Sequence, residues 1–334
     1  MATKRDYSTI LFTPEEIGNQ TGAYLKDRRE NKGHGVRIGL RDLDEPDKDG
    51  NFILPMHPGE LMSIIARPGH GKTGFMVRWA RERSHWLREQ KVAERVVVYV
   101  TLEQSIEELN AFNIAADERL SSTSMAQGEI TDEEWKRCLQ NSIGRRFLPL
   151  WNIGYSGTTD KKQIPVDLDG INGALELLSS EHHLKIDVVF VDYLQRIPYN
   201  RAESKTVGVS DNLDGLKNIA LQQHCPVIIG VQARREVDDK ADPIPEMDDG
   251  AWTSNIEQTS DRVLSLVRPR NYRDEGAYFG QTRVEGRCQM LITVLKQKLA
   301  PANFVKWVWF DPIYNRLELS KPPADDSPAA RSRP

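Results

Sequence analysis

The sequence predicts an α/β fold: a mainly parallel β-sheet flanked by helices, with a C-terminal β-hairpin. Three observations predict it. From residue 59 onward, short apolar runs alternate with longer amphipathic stretches. A glycine-rich loop joins the first such run to the first long stretch. Near the end, two strand-like segments flank a turn containing Pro and Asn. Strand–helix–strand alternation implies parallel strands joined by crossover helices.

The elements follow in order. Thr13-Pro14-Glu15-Glu16 is a helix start, with a capping hydroxyl, Pro at the first helical position and acids in the first turn. The helix is expected to run to about Asn31, where Lys32-Gly33-His34-Gly35 stops it. With only Ile17, Tyr24 and Leu25 as apolar residues, it is marginal alone. It either docks on something, such as another subunit, or is a solvated surface helix. Strands are expected at Leu61–Ala66, Arg95–Thr101, Asp187–Asp192, Val227–Val231, Arg262–Val267 and Leu291–Leu295. Several are continuous and β-branched, as strands covered on both faces tend to be. Helices are expected at Thr73–Gln90, Ser105–Asn113, Asp132–Ile143, Ile171–Glu181 and Asn212–Gln223. Val305–Phe310 and Arg316–Leu319 form the terminal hairpin. The long loops Gly154–Asp169, Pro198–Ser210 and Arg234–Asn255 interrupt the pattern, and such loops are usually functional or mobile. The expected organisation is an arm over residues 1–34, one α/β domain over 35–320 and a disordered tail over 321–334.

Composition excludes several classes of function. The 45 Lys and Arg against 49 Asp and Glu leave a charge of −4, so bulk charge does not drive polyanion binding. Apolar runs such as Leu61–Ala66 are far shorter than the ~20 residues that span a bilayer, and no membrane association is expected. The N-terminus has no apolar stretch after its first charges, so no secretory signal is expected. Cys138, Cys225 and Cys288 are too widely spaced for a disulfide framework or a metal site, which suits a reducing cytoplasm.

The chemistry starts at Ala66-Arg67-Pro68-Gly69-His70-Gly71-Lys72-Thr73, after a strand and before a helix. In that context the loop's N–H groups wrap a polyphosphate at a helix N-terminus. Lys72 reaches the β- and γ-phosphates of ATP, and Thr73 places its hydroxyl on Mg²⁺. Asp192 ends the apolar strand Val188-Val189-Phe190-Val191 and is expected to hold the metal through water; the plain alternative is a turn cap. A base for the attacking water is needed, and Tyr193, not Glu, follows Asp192. Glu103 ends the second strand. Strand ends of a parallel sheet share one edge, so Glu103 can face the γ-phosphate. It can equally be an acid placed at the N-terminus of the following helix. His182-His183 is expected at a helix C-terminus rather than at a metal. Arg78, Arg81, Arg83, Arg88 and Lys91 are interleaved with Glu82 and Glu89, which predicts a solvated helix face rather than a nucleic-acid patch.

Together these residues resemble DnaB-type replicative helicases, a group of RecA-like ATPases. The likeness runs over about residues 35–320. Gly35–Asp44 looks like the family's lead-in segment, and Ala66–Thr73 looks like its phosphate loop, including Ala at the first position. Thr101-Leu102-Glu103-Gln104-Ser105 resembles Ser-Leu-Glu-Met-Ser, whose Glu is the catalytic base. Asp192-Tyr193-Leu194-Gln195 matches the metal-binding strand end. Val231-Gln232-Ala233-Arg234-Arg235 resembles Ser-Gln-Leu-Asn-Arg, whose Gln senses the γ-phosphate. Ile256–Asp261, Tyr272–Glu275 and Lys296-Gln297-Lys298 also have counterparts. The resemblance implies a homo-oligomeric ring, usually a hexamer, with ATP between subunits. Lys296 and Lys298 would then serve a neighbour's nucleotide, and the helix over 14–31 would be a linker helix packed on the adjacent subunit.

The departures matter as well. About 34 residues precede the ATPase segment, where the family carries a large primase-binding domain, so primase recruitment is not expected; residues 1–34 are a candidate for contact with another protein. Lys298 stands where the family has Arg, which offers a planar fork where lysine offers a point charge. The loops expected to face single-stranded DNA are Pro198–Ser210 and Asp239–Asn255. The second carries five carboxylates against Lys240 alone. Arg201, Lys205, Arg234 and Arg235 are the candidates for the phosphate backbone. Trp252 is either a base-stacking platform or a packed anchor. The expected function is an ATP-driven helicase. The alternatives are a non-unwinding regulatory ATPase of a mobile element, phage or defence system, and a nucleotide-gated structural ring.

Overall fold

A computed structural model describes residues 11–30, 35–159, 162–199, 204–251, 255–280, 282–311, 313–314 and 316–318. The chain divides into two compact units, one ending at Gly35 and one beginning at Val36. The first unit contains α1 (Pro14–Glu30). Its start is a reciprocal cap. Glu16 N donates to Thr13 Oγ1 at 3.2 Å, and the Glu16 carboxylate accepts from Thr13 N and Oγ1 at 2.7 and 2.9 Å. Leu11, Phe12, Ile17 and Leu25 all remain exposed.

The second unit runs α2 (Arg41–Asp44), β1 (Leu61–Ala66), α3 (Lys72–Glu89), β2 (Arg95–Thr101), α4 (Ile106–Glu118), α5 (Ser122–Ala126), α6 (Asp132–Arg145), β3 (Leu150–Ile153) and α7 (Leu168–Ser180). It continues through β4 (Lys185–Asp192), α8 (Lys205–Gln222), β5 (Val227–Gln232), α9 (Ile256–Thr259), β6 (Arg262–Val267), β7 (Tyr278–Phe279), β8 (Thr282–Arg283), β9 (Gln289–Gln297), β10 (Phe304–Asp311) and β11 (Arg316–Glu318). The main sheet has the order β11-β10-β9-β6-β1-β5-β4-β2-β3. The block from β6 to β3 is parallel, and β9, β10 and β11 add antiparallel strands. β7 and β8 form a separate small ribbon.

Side-chain alternation along each strand builds two cores. Met62, Ile64 and Ala66 of β1 join Phe75, Met76 and Trp79 of α3. Leu61 and Ile65 join Leu175 of α7 and Leu213, Leu216 and Ile219 of α8 on the other face. Each fully buried side chain of this size contributes about 1.5–3 kcal/mol, and covering both faces explains the continuous apolar strands. The register sets the site: Ala66 pairs with Gln232, and Thr101 with Asp192. The C-terminal ends of β1, β5, β2 and β4 therefore share one edge.

The predicted fold class holds, with several corrections of detail. β3 has only four residues, Leu-Trp-Asn-Ile, too few for a periodic signal to mark it. The long loop expected over Pro198–Ser210 ends early, because Ser204 Oγ accepts from Val207 N at 3.3 Å and caps α8. The solvated arginine face expected on α3 holds only at its end, where Arg88 is exposed. Arg78, Arg81 and Arg83 are buried, because α3 is overlaid by other elements. Arg78 donates to Ile38 O at 2.9 Å, Arg81 meets Asp117 at 3.3 Å, and Arg83 grips Asp187 at 2.7 and 3.0 Å. Those partners are remote in sequence, so local charge pattern could not reveal them. Residues 319–334, the whole of the expected tail among them, lie outside the described residues.

Candidate nucleotide-binding site

β1 delivers the chain at Ala66, and α3 starts six residues later at Lys72. Between them Arg67, Pro68, Gly69, His70 and Gly71 form a turn. Gly71 is the residue before the helix, with φ +86°, where a side chain is strained. A Cβ there would also lie 2.6 Å from Met290 Cε, and one at Gly74 would lie 2.5 Å from Phe310. The loop and first helical turn thus sit flush on β9 and β10. Phe310 was not singled out in the sequence; it lies in a strand whose apolar residues all look alike.

Lys72 Nζ lies 2.5 Å from Asp192 Oδ1 and 4.4 Å from the Tyr193 ring centre. Asp192 Oδ2 accepts from Tyr99 OH at 3.1 Å. Burial, then the adjacent Asp192 charge, pushes the Tyr99 phenol well up, so it stays a donor. A Cβ on Gly230 would lie 2.9 Å from Lys72 Nζ and 3.2 Å from Asp192 Oδ1. Glycine in the middle of β5 therefore clears room for the lysine. This residue was also missed, although a lone Gly inside an apolar strand is a known sign of close approach.

Lys72, Thr73, Glu103 and Gln232 line one cavity of about 400 Å³, with Ala66, Arg67, Pro68, Gly69, Gly71, Gly74, Phe112, Arg268 and Phe310 among its walls. Glu103 reaches it from the exit of β2. Gln232 is held by its backbone: Gln195 Oε1 accepts from Gln232 N at 3.1 Å, and Gln195 Nε2 donates to Ala251 O at 2.9 Å. The donor set suits a hard cation. A hydroxyl at Thr73 and a buried carboxylate at Asp192 are the oxygen ligands Mg²⁺ takes alongside phosphate and water. Phe112 and Phe310 give the cavity its apolar surfaces.

Two predicted loop residues have their polar groups engaged by other segments, although Arg67 also lines the cavity. The Arg67 guanidinium is bound to Asp238 and to Ala233 O. His70 is only 4% exposed, and its Nδ1 accepts from Arg268 N at 3.0 Å. Burial, followed by the Arg268 charge, pushes the His70 imidazole down to about 4, so it is neutral at physiological pH.

Other predicted residues lie apart. Lys296 pairs across β6 at Val263, which pairs with Ser63 near the start of β1. It and Lys298 are therefore at the opposite end of the strands from the phosphate loop. Lys296 Nζ donates to Ser260 O at 2.8 Å and to Glu257 O, and Lys298 pairs with Asp261. Arg234 and Arg235 are exposed after β5, and Arg234 Nε donates to Gly250 O at 3.3 Å. Lys205 is exposed in the first turn of α8. Arg201 and Trp252 lie outside the described residues. In the acidic loop Lys240 is neutralised by Glu246 and Asp249 at 3.0 and 2.7 Å. Among the described residues no helix is long and apolar enough to cross a membrane.

Comparison with known proteins agrees with the fold. The family described as DnaB-like helicase C terminal domain matches residues 35–318. The replicative DNA helicase DnaB of Rickettsia typhi is 26% identical over 263 residues, covering 75% of this chain and 48% of that protein. A probable plasmid replicative DNA helicase of Chlamydia trachomatis is 24% identical over 314 residues, covering 90% of this chain and 62% of that protein. The chain thus spans about half the length of the curated relatives it matches. Two solved structures show a likeness of fold. An isolated ATPase domain superposes with a TM-score of 0.73 at 18% identity, over 91% of this chain and 98% of that one. A DnaB-like replicative helicase superposes with a TM-score of 0.69 at 19% identity, over 90% of this chain and 66% of that one.

Proposed function

The chain belongs to the DnaB-like helicase C-terminal domain family, and on that footing we propose that it is a Mg²⁺-dependent ATPase that assembles as a homo-oligomeric ring, a hexamer, and couples ATP hydrolysis to movement on single-stranded DNA and to unwinding. The observation that carries this reading is the contact of Lys72 with Asp192 beside a glycine-lined loop, at an edge shared with Glu103 and Gln232. A polyphosphate draws Lys72 away from Asp192 and onto its β- and γ-oxygens. The loop N–H groups from Gly69 to Thr73 bind the remaining charge at the start of α3. Thr73 Oγ1 and, through water, the Asp192 carboxylate would hold Mg²⁺, which would supply charge neutralisation at the phosphates. Glu103 orients and deprotonates the attacking water, and Gln232 senses the γ-phosphate. Phe310 and Arg268 line the cavity beside the phosphate loop, Phe310 against Gly74 and Arg268 donating to Gly69 O.

Lys296 and Lys298 are too far from their own loop to act in cis, which supports a neighbour's nucleotide as their target. The exposed apolar faces of α1 (Ile17, Leu25) and α6 (Trp135, Leu139, Ile143) fit a protein that buries them between subunits. A second reading is a non-unwinding regulatory ATPase. The acidic loop favours it, because pairing Lys240 with Glu246 and Asp249 leaves residues 239–251 no free cation.

Steady-state ATP hydrolysis with and without single-stranded DNA separates the two, with Lys72→Ala as the blank. Loss of one phosphate-binding cation is expected to lower turnover about 1000-fold. Stimulation by DNA supports the motor; Lys72-dependent turnover indifferent to DNA sinks it and leaves the regulatory ATPase. Gel filtration with nucleotide tests the ring, and a strict monomer removes the lysines acting in trans.

A further inference from the structure

The phosphate loop is clamped to the long loop after β5 by side chains that phosphate binding does not itself require. Arg67 donates Nε to Asp238 Oδ1 at 3.1 Å and its terminal amine to Oδ2 at 2.7 Å. Its other amine donates to Ala233 O at 3.1 Å. Tyr272 donates its hydroxyl to the same carboxylate at 2.6 Å, and its ring lies 5.0 Å from that of His70. Both polar side chains of the turn, Arg67 and His70, therefore lean on one Asp238–Tyr272 unit.

The loop over residues 233–251 is also tied at its base. Ala233 bridges to Gly250, Arg234 N donates to Asp249 O at 2.8 Å, and Gln195 spans Gln232 and Ala251. Its middle is thus fixed to the phosphate loop, and its ends to the glutamine at the cavity wall. A two-point arginine–carboxylate contact fixes orientation as well as distance, so a shift of one partner turns the other. As a stabilising element the pair is weak, because Asp238 is 39% exposed and solvent screens such an ion pair. Asp238 does not line the cavity.

We infer that Asp238 is a positioning residue that, through Arg67, makes nucleotide binding and the arrangement of residues 233–251 change together. The inference rests on the nucleotide-site reading above but not on DNA contact. It makes the loop expected to face DNA a partner of the phosphate loop by a route other than Gln232. The coupling is reciprocal: whatever holds the loop also sets Arg67.

The test uses the full chain, a fluorescent ATP analogue with Mg²⁺ for affinity, and amide hydrogen exchange over 234–251 with and without the analogue. In the wild-type chain, nucleotide is expected to slow exchange in this loop at least about threefold. Asp238→Asn abolishes that response while weakening nucleotide binding by no more than about threefold, as loss of an exposed pair predicts. Asp238→Glu restores the response in part, and Tyr272→Phe, which removes one hydroxyl without disturbing the fold, gives an intermediate one. A wild-type response surviving in Asp238→Asn overturns the inference, as does a wild-type chain that binds nucleotide with no change in the loop. Absence of binding by the wild-type chain overturns the nucleotide reading as well, and the affinity arm alone reveals that case.

Discussion

At the C-terminal edge of the parallel strands a buried aspartate, Asp192, holds Lys72 and Tyr99; at the opposite edge another, Asp261, holds Lys217 and Lys298. The two carboxylates are similarly buried, at 4% and 3% exposure. Their surroundings differ. Lys72 opens onto the cavity beside Gly230, so its contact can be exchanged for a ligand. Asp261 also accepts from Leu61 N at 2.8 Å and gathers partners from α8, β1 and the residue just after β9. Burial raises the Asp261 carboxyl, but Lys217 and Lys298 more than offset this and leave it below the usual range. A lysine–aspartate pair is thus a switchable site where a cavity adjoins it and a clamp where it ties elements together.

The comparison can be broken at either edge. The largest effect is expected from Glu103→Gln: nucleotide still binds, but turnover falls about 1000-fold, toward the upper range for loss of a general base. Single-turnover hydrolysis with a parallel binding assay checks it, and continued turnover refutes Glu103 as base. Next is Asp261→Asn, which leaves Lys217 and Lys298 facing a neutral amide. It is expected to cost about 3 kcal/mol of stability, read from a urea midpoint, as breaking a buried pair does. The same measurement on Asp192→Asn should show a smaller loss if that edge is built for ligand rather than for stability.

Lys298→Ala sharpens the comparison, because Lys298 is 58% exposed and belongs to both the clamp and the proposed trans site. Its turnover in the assembled state should fall about 30-fold, a modest share of what a trans arginine contributes, with little change in the urea midpoint. A fall in stability without a fall in turnover would make it a clamp residue only. The smallest effect concerns His70. Its imidazole titrates near 6.5 when unfolded and about 4 when folded, so the folded state binds fewer protons between those values. The stability it contributes is complete above pH 6.5 and is lost as pH falls toward 4. Lowering pH from 7 to 5.5 should cost about 1 kcal/mol through this group alone. The difference between wild-type and His70→Asn melting curves over that range isolates it, and parallel curves contradict the assignment.

Much of the site was legible because its residues are consecutive. Ala66–Thr73 places a strand end, a turn and a helix start within eight residues, and β1 and α3 form where expected. Asp192 and Glu103 were legible as polar residues ending apolar strands. Gly230, Phe310, Asp238 and Tyr272 were not singled out as parts of the site. Their meaning lies in what approaches them: Lys72, Gly74 and Arg67 come from other segments. The burial of Arg81 and Arg83 is illegible in sequence for the same reason, since Asp117 and Asp187 are far along the chain.

The order and kind of the main elements follow from the residues alone, because burying one or both faces of a strand or helix dictates a local periodicity. So does the phosphate loop, whose backbone shape needs glycine at closely spaced positions. The antiparallel side of β9, the opposite placement of Lys296 and Lys298, and the Arg67–Asp238 clamp emerged only once the chain was folded. Sheet order and remote ion pairs depend on which surfaces meet, and that is set by packing across the whole core rather than by any local run of residues.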